Sequence, residues 1–212
     1  MCGGRGTRLG GDTEKPLVPI RGRPMVDRVH DALAESRIET VYPVVSPHAR
    51  ATRAHLTARC RTRDPASGRD EVRVVDAPGD GYVADLQYAL DTLGLGETRV
   101  LTVAADLPLL DDEAVDGVVA AARRVAPDSL TVCVPAARKR ALGVSADTAT
   151  VIDGESVVSA GINVVSGATH ADDVVHVTDD RRLAVNINYP SDLQVAEALL
   201  TATADPMGGV TR

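Results

Sequence analysis

The chain has no tryptophan and no phenylalanine, and tyrosine appears only four times. Lysine is almost as scarce: Lys15 and Lys139 are the only two among 23 basic residues. Asp far outnumbers Glu, and the formal net charge is −7. Together these shortages resemble a salt-adapted, GC-rich composition. The acidic balance argues against nucleic acid as a partner, since phosphate backbones are met by basic surfaces. Three cysteines, Cys2, Cys60 and Cys133, are odd in number and lack paired spacing. They read as reduced thiols, which excludes a disulfide framework or a zinc site. No apolar run reaches about 18 residues, which excludes a membrane-spanning helix. The start carries no apolar signal region, so a cytoplasmic protein is expected. The five histidines include no His-x-x-x-His pair.

The chain does carry a glycine-rich opening. Cys2-Gly3-Gly4-Arg5-Gly6-Thr7-Arg8-Leu9-Gly10-Gly11 leads into Glu14-Lys15-Pro16-Leu17. Glycines let successive N–H groups converge on phosphate oxygens, and Arg5, Arg8 and Lys15 add charge to pair with them. The spacing is neither the Walker pattern nor the Gly-x-Gly-x-x-Gly of dinucleotide folds. It resembles the G-G-x-G-T-R…K-P-L signature of sugar-phosphate and cofactor nucleotidyltransferases, which hold a nucleoside triphosphate there. Lys15 is notable because arginine replaces lysine nearly everywhere else. A compact ammonium kept at this place suggests a site that wants a point charge.

At 212 residues, one α/β domain with a sizeable core is expected, spanning 1–204, with a flexible tail over 205–212. Short β-branched runs alternate with helical segments, the pattern of a mostly parallel, Rossmann-like sheet with helices on both faces. Strands are predicted at 40–46, 72–77, 99–105, 130–135, 162–166, 174–177 and 183–186. Helices are predicted at 24–36, 48–59, 83–93, 112–125 and 191–203, with Pro24 in a first turn and Ser191 as an N-cap. Residues 61–70 read as a polar loop. A phosphate loop of this kind normally follows a buried strand, and here it begins at Met1. The first strand is therefore expected to be missing from this chain, lying upstream or absent.

Three further segments bear on chemistry. Asp106, in Ala105-Asp106-Leu107-Pro108, closes a predicted buried strand, where ligands of open α/β sheets sit. It resembles the Mg²⁺-binding Asp of nucleotidyltransferases; a turn Asp is the competing reading. Asn186-Ile187-Asn188-Tyr189-Pro190-Ser191-Asp192 resembles the late D/N-x-N-T-P-x-D-L segment of the same enzymes. Asn186 would then assist Asp106 at a metal, as a neutral oxygen ligand, with Asn188 bracing the loop. In Asp80-Gly81-Tyr82-Val83-Ala84-Asp85, a glycine turn enters a helix. The related enzymes place this region against base and ribose, so Gly81 and Asp85 are nucleotide-binding candidates. A carboxylate at Asp85 could accept both donors of a guanine edge; a first-turn helix acid is the alternative.

Ser159-Ala160-Gly161-Ile162-Asn163-Val164-Val165-Ser166 extends the resemblance to nearly the whole chain. With the opening loop, Asp-x-x-Gly-x-Gly-Tyr-x-x-Asp-Leu and Asn-Ile-Asn, the chain resembles the archaeal GTP:adenosylcobinamide-phosphate guanylyltransferases of cobalamin synthesis. That resemblance implies transfer of GMP from GTP to adenosylcobinamide phosphate, with release of pyrophosphate. It implies nucleotide binding by Gly3, Gly4, Arg5, Gly6, Thr7, Arg8 and Lys15, with Arg8, Lys15 and Asp106 in catalytic roles. Gly161 and Asn163 would line the acceptor side. Gly161 could also be a bulge glycine with positive φ. Mg²⁺ is the cofactor such a site would suit, and a homodimer is an open alternative for assembly. Molybdopterin or another cofactor guanylyltransferase, and a GTP-binding protein without turnover, are the rival readings.

Overall fold

Valine-rich segments form the sheet of this protein, and helices with one apolar face cover it. The computed structural model describes residues 1–2, 9–10, 13–61, 73–125, 129–166 and 173–204. The loop glycines and arginines at positions 3–8, most of the predicted polar loop and the predicted tail lie outside the described residues. A 3-10 turn at Lys15–Leu17 leads into the short strands β1 (Pro19–Ile20) and β2 (Arg23–Pro24) and helix α1 (Met25–Glu35). Next come β3 (Val44–Val45), α2 (Arg50–Arg61), β4 (Val75–Asp76), α3 (Tyr82–Leu93), β5 (Val100–Val103) and α4 (Asp112–Val125). β6 (Ser129–Pro135), α5 (Ala136–Leu142), β7 (Thr150–Ile152), β8 (Glu155–Val165), β9 (Asp173–Val177), α6 (Arg181–Ala184) and α7 (Pro190–Ala204) complete the order.

β3 and β4 pair in parallel, while β5, β8, β6 and β9 lie side by side, with β7 joined to β8. β8 runs antiparallel to β5, β6 and β7, and β6 runs parallel to β9. The architecture is α/β, as expected, and the sheet is mixed because β8 supplies an antiparallel hub. β8 is longer than its predicted piece, beginning at Glu155 rather than at residue 162. Leu130, Val132, Ile162 and Val164 of β6 and β8 are buried together with Val115 and Val118 of α4. Asp112 and Glu113 in the first turn of α4, and Arg123 and Arg124 in its last, both complement the helix dipole. Asp111 caps that helix by accepting from the Ala114 amide at 2.9 Å.

Three local expectations are corrected. The run at 183–186 is not a strand. Asp180 caps a helical turn by accepting from the Arg182 amide, and Arg182 pairs with Asp111 on the α4 side, so α6 forms instead. Helix α7 begins at Pro190, a residue suited to a first turn, so Ser191 is not its N-cap. α5 was not among the predicted helices, and Lys139 is buried on it. Among the described residues, no helix is long and apolar enough to cross a membrane.

The place expected for a first strand is taken by Met1 and Cys2. The Met1 amine donates to Val103 O at 2.8 Å, and Ala105 N donates back to Met1 O at 3.3 Å. Cys2 N donates to Val44 O at 2.8 Å, and Cys2 bridges Val45 in parallel. These two residues join the β3–β4 pair to the larger sheet. Beside them lies a largely apolar cleft of about 510 Å³, lined in part by Tyr42, Val44, Leu86, Leu90, Leu101 and Val103. It separates the remaining backbone of the two sheet edges. Fusing about five apolar residues in extended register ahead of Met1 should therefore raise stability by several kcal/mol, at roughly 1.5–3 kcal/mol per buried side chain as an upper scale. Denaturant unfolding of both forms measures this; equal midpoints would show that the cleft gains nothing from being filled.

Candidate active site

The site forms where β5 ends. Val103 is the last residue of the strand, and Ala104 N donates to Gly161 O at 2.7 Å, which extends the ladder. The chain then turns through Asp106, whose carbonyl accepts from Ile187 N at 3.1 Å. This bond brings the segment before α7 to the strand end. The Asp106 carboxylate meets Lys15: Nζ lies 2.6 Å from Oδ2, with the side chains 17% and 18% exposed. The Lys15 ammonium also donates to Asn188 Oδ1 at 3.1 Å. Residues 91 and 173 positions from Lys15 thus hold one ammonium. Asp106 Oδ1 is buried and has no hydrogen-bond partner among the described residues.

Glu14 anchors the residue beside Lys15. Its carboxylate accepts from the Ala51 amide at 2.9 Å and from the Thr52 amide and hydroxyl at 2.7 Å each. The acid so reaches the N-terminus of α2, whose orphan donors it satisfies. Partial burial pushes the Glu14 carboxyl up, and the three hydrogen bonds together outweigh it, leaving its pKa below the ordinary value.

A cavity of about 330 Å³ opens against this constellation. It is lined by Lys15, Pro16, Gly79, Gly81, Tyr82, Asp85 and Asp106, with Met1 and Cys2 at the sheet joint. Its volume falls at the lower end of small-ligand sites, which run from about 300 to 1,000 Å³. Four predicted site residues, Lys15, Gly81, Asp85 and Asp106, therefore face one cavity. Asp85 is 5% exposed, and its Oδ1 accepts from the amides of Gly79 at 2.7 Å and Asp80 at 3.2 Å. One of its oxygens is thus committed to shaping the turn that forms the cavity wall. Gly79 suits that turn, with φ +88° and a Cβ direction 2.8 Å from Pro47. Tyr82 was not singled out by sequence. Its ring lines the cavity while its hydroxyl donates to Thr102 Oγ1 at 3.0 Å. The signal was there in a scarce aromatic directly following Gly81.

Three other predicted residues sit differently. Gly161 is a bulge glycine: φ is +76°, and the β6–β8 register shifts between Thr131 and Cys133. A Cβ there would stand 2.9 Å from Asn186 Nδ2 and 3.2 Å from Ala104 Cβ. Of the two readings of Gly161, the backbone shows the bulge glycine, with Asn186 and Ala104 standing where a Cβ would be. Asn163 Oδ1 accepts from Val132 N at 3.2 Å, mending the ladder beside the bulge. Asn186 is buried, with Oδ1 accepting from Lys139 Nζ at 3.1 Å and Nδ2 donating to Ala160 O at 3.1 Å. Its oxygen already faces an ammonium, which disfavours the metal-ligand role expected of it. Asn188, expected only to brace, is the asparagine that meets Lys15.

Among the described residues, no group of three or more His, Cys, Asp or Glu could cage a metal. Asp106 fits a different arrangement. Its buried, unpartnered Oδ1 is an oxygen donor of the kind Mg²⁺ takes, one or two carboxylates completed by substrate phosphates and water.

Residues 1–153 match the family described as the MobA-like NTP transferase domain. Over 204 residues the chain is 30% identical to the adenosylcobinamide-phosphate guanylyltransferase of Methanocaldococcus jannaschii, covering 94% of this chain and 95% of that one. Among solved structures, the molybdopterin-guanine dinucleotide biosynthesis protein A of Archaeoglobus fulgidus superposes with a TM-score of 0.59 at 16% identity, over 95% of this chain and 96% of that one. HddC of Yersinia pseudotuberculosis superposes at 0.66 with 14% identity, over 93% and 95%. At those identities the two structures speak for the fold.

Two outcomes follow from this geometry. Gly161→Val should destabilise the fold by about 2 kcal/mol or more, since a β-branched residue is strained at positive φ and has no room for its Cβ. A melting temperature near that of the parent would remove the bulge requirement. Glu14→Gln should lower stability at neutral pH, and the gap to the parent should close on acidification. The sign follows from the depressed pKa: the carboxylate's contribution is full above the unfolded value and is lost as pH falls through the folded one. Unfolding midpoints of both proteins from pH 7 down through the carboxylate range check this; a constant gap would count against it.

Proposed function

This chain belongs to the MobA-like NTP transferase domain family and is a nucleotidyltransferase, and from that premise we propose that it transfers GMP from GTP to adenosylcobinamide phosphate. The observation that carries the reading is the Lys15–Asp106 pair facing the cavity, its ammonium also held by Asn188, in a chain similar over nearly its full length to a guanylyltransferase of that name. An oxygen of the acceptor phosphate attacks the α-phosphorus of GTP. A new P–O bond forms, the bond from that phosphorus to the bridging oxygen breaks, and pyrophosphate leaves with the electron pair. The attacking oxygen is already anionic near neutral pH, so no proton has to be removed from it. Positioning and charge stabilisation then supply the catalysis.

In this reading Lys15 holds phosphate charge and Asn188 orients its ammonium. The opening glycines and arginines, through Arg8, contribute amides and guanidinium groups to the triphosphate. Gly81, Tyr82 and Asp85 form the wall against the nucleoside. Asp106 would hold Mg²⁺ through its unpartnered oxygen, and the ion would neutralise phosphate charge. Molybdopterin is a second acceptor of the same chemistry, after the Archaeoglobus fulgidus molybdopterin-guanine dinucleotide biosynthesis protein that shares the fold.

The deciding experiment supplies radiolabelled GTP with each acceptor and follows label transfer and pyrophosphate release. Label on adenosylcobinamide phosphate supports the proposal. Label on molybdopterin alone selects the second acceptor, and GTP binding without pyrophosphate release under either acceptor points to a binding protein. Asp106→Asn should lower kcat by about a hundredfold or more, the scale for removing one charge contact preorganised for the transition state. GTP affinity should change far less. Unchanged turnover at saturating GTP would reassign Asp106 to a turn.

A further inference from the structure

Two asparagines flank Ile187, and each holds one of the chain's two lysines. Lys15 donates to Asn188 Oδ1 and Lys139 to Asn186 Oδ1, both at 3.1 Å. Lys139 lies in α5, 1% exposed, and its ammonium also donates to Ala184 O at 2.7 Å. Among the described residues, both of these hydrogen-bond partners are neutral oxygens. Burial pushes the Lys139 pKa below the ordinary lysine value, against the longer-range attraction of Asp192 and Asp106. A buried ammonium on neutral partners costs stability that an apolar side chain of similar length would not. Its bonds therefore call for a use beyond filling space.

The use lies in what those bonds hold. Asn186 passes the contact on to Ala160 O, next to the Gly161 bulge. Ile187 N is bonded to Asp106 O. At the far end, Asp192 Oδ2 accepts from the amides of Asn188 and Tyr189 at 2.9 Å each, and its other oxygen accepts from Ser145 N at 2.8 Å. Residues 185–189 form no helix or strand of their own. Their path is set by Lys139 and Asn186 at one end, Asp106 in the middle and Asp192 at the other. We propose that Lys139 and Asn186 form a positioning clamp, which holds residues 185–189 against the end of β5 so that Asn188 presents its oxygen to Lys15. The inference rests on the reading of Lys15 as the triphosphate's partner. Lys139 touches no reacting atom in this scheme and acts through Asn186 and the backbone.

The scarcity of lysine makes the test direct. Protein labelled with ¹³C and ¹⁵N lysine gives two sets of side-chain resonances, and the spectrum of Lys15→Arg assigns the one that remains to Lys139. GTP titrated into the unaltered protein should move the Lys15 signal and, with the same midpoint, the Lys139 signal. A Lys139 signal that stays put while Lys15 moves overturns the clamp and leaves nucleotide binding standing. If neither moves, the nucleotide reading falls and the clamp with it. In a second measurement, Lys139→Met should lower kcat by about tenfold or more while KM for GTP changes less than about threefold. Unchanged kcat in a folded Lys139→Met protein would reduce Lys139 to a packing residue. Should that variant not fold, the titration of the unaltered protein decides alone.

Discussion

The contact between Lys15 and Asp106 is the point on which the rest of this architecture converges. It ties the segment after the glycine-rich loop to the end of β5. Through Asn188 it also ties in the segment that leads to α7. Partly buried ion pairs are weak sources of stability, because desolvation offsets most of the attraction. Here one carboxylate oxygen is left without a partner at the same time. A fold selected for stability alone has no reason to keep that arrangement. The proposed binding of polyphosphate and a cation accounts for it, because the ammonium and the carboxylate oxygen would then each meet opposite charge. Glu14 and Asp192 keep the two flanking segments in place through backbone amides, so little has to be ordered when a ligand binds.

The sequence made the chemistry more legible than the geometry. Lys15 and Asp106 stood out by residue type and motif, and the structure places them together beside one cavity. Their direct pairing was not readable, because nothing local links residues 91 positions apart. Asn186 and Asn188 look alike in one dimension. Only the backbone path, pinned by Ile187 N to Asp106 O, turns one to Lys139 and the other to Lys15. Gly161 was recognised as special, but whether its missing Cβ served a ligand or the chain depended on φ and on Asn186.

The fold shows the same division. Strong β-branched runs at β5, β6 and β9 and the amphipathic helices α1 and α4 were readable from pattern, α4 also from its end charges. The antiparallel hub β8 was seen only at its end, Ile162–Val165, since polar residues and Gly161 interrupt the apolar ones before it. α5 and α6 were missed because tertiary contacts outrank local pattern there. Lys139 is drawn inward to Ala184 and Asn186, and Arg182 is drawn to Asp111 and Asp180.

The joint made by Met1 and Cys2 carries a consequence in time as well as in space. Three backbone hydrogen bonds through these residues attach the β3–β4 pair to β5. Across that joint stand the cavity's two walls: Gly79, Tyr82 and Asp85 come from the chain after β4, Asp106 from the chain after β5. Regions linked by few bonds open on their own, with less free energy than global unfolding requires. The β3–β4 side, held to β5 through so short a joint, is therefore expected to exchange its amides ahead of the β8-centred sheet. Under the proposed function, a nucleotide touching both walls would act as a further fastener between them. Occupancy of the site and slowed exchange at the joint become two views of one equilibrium.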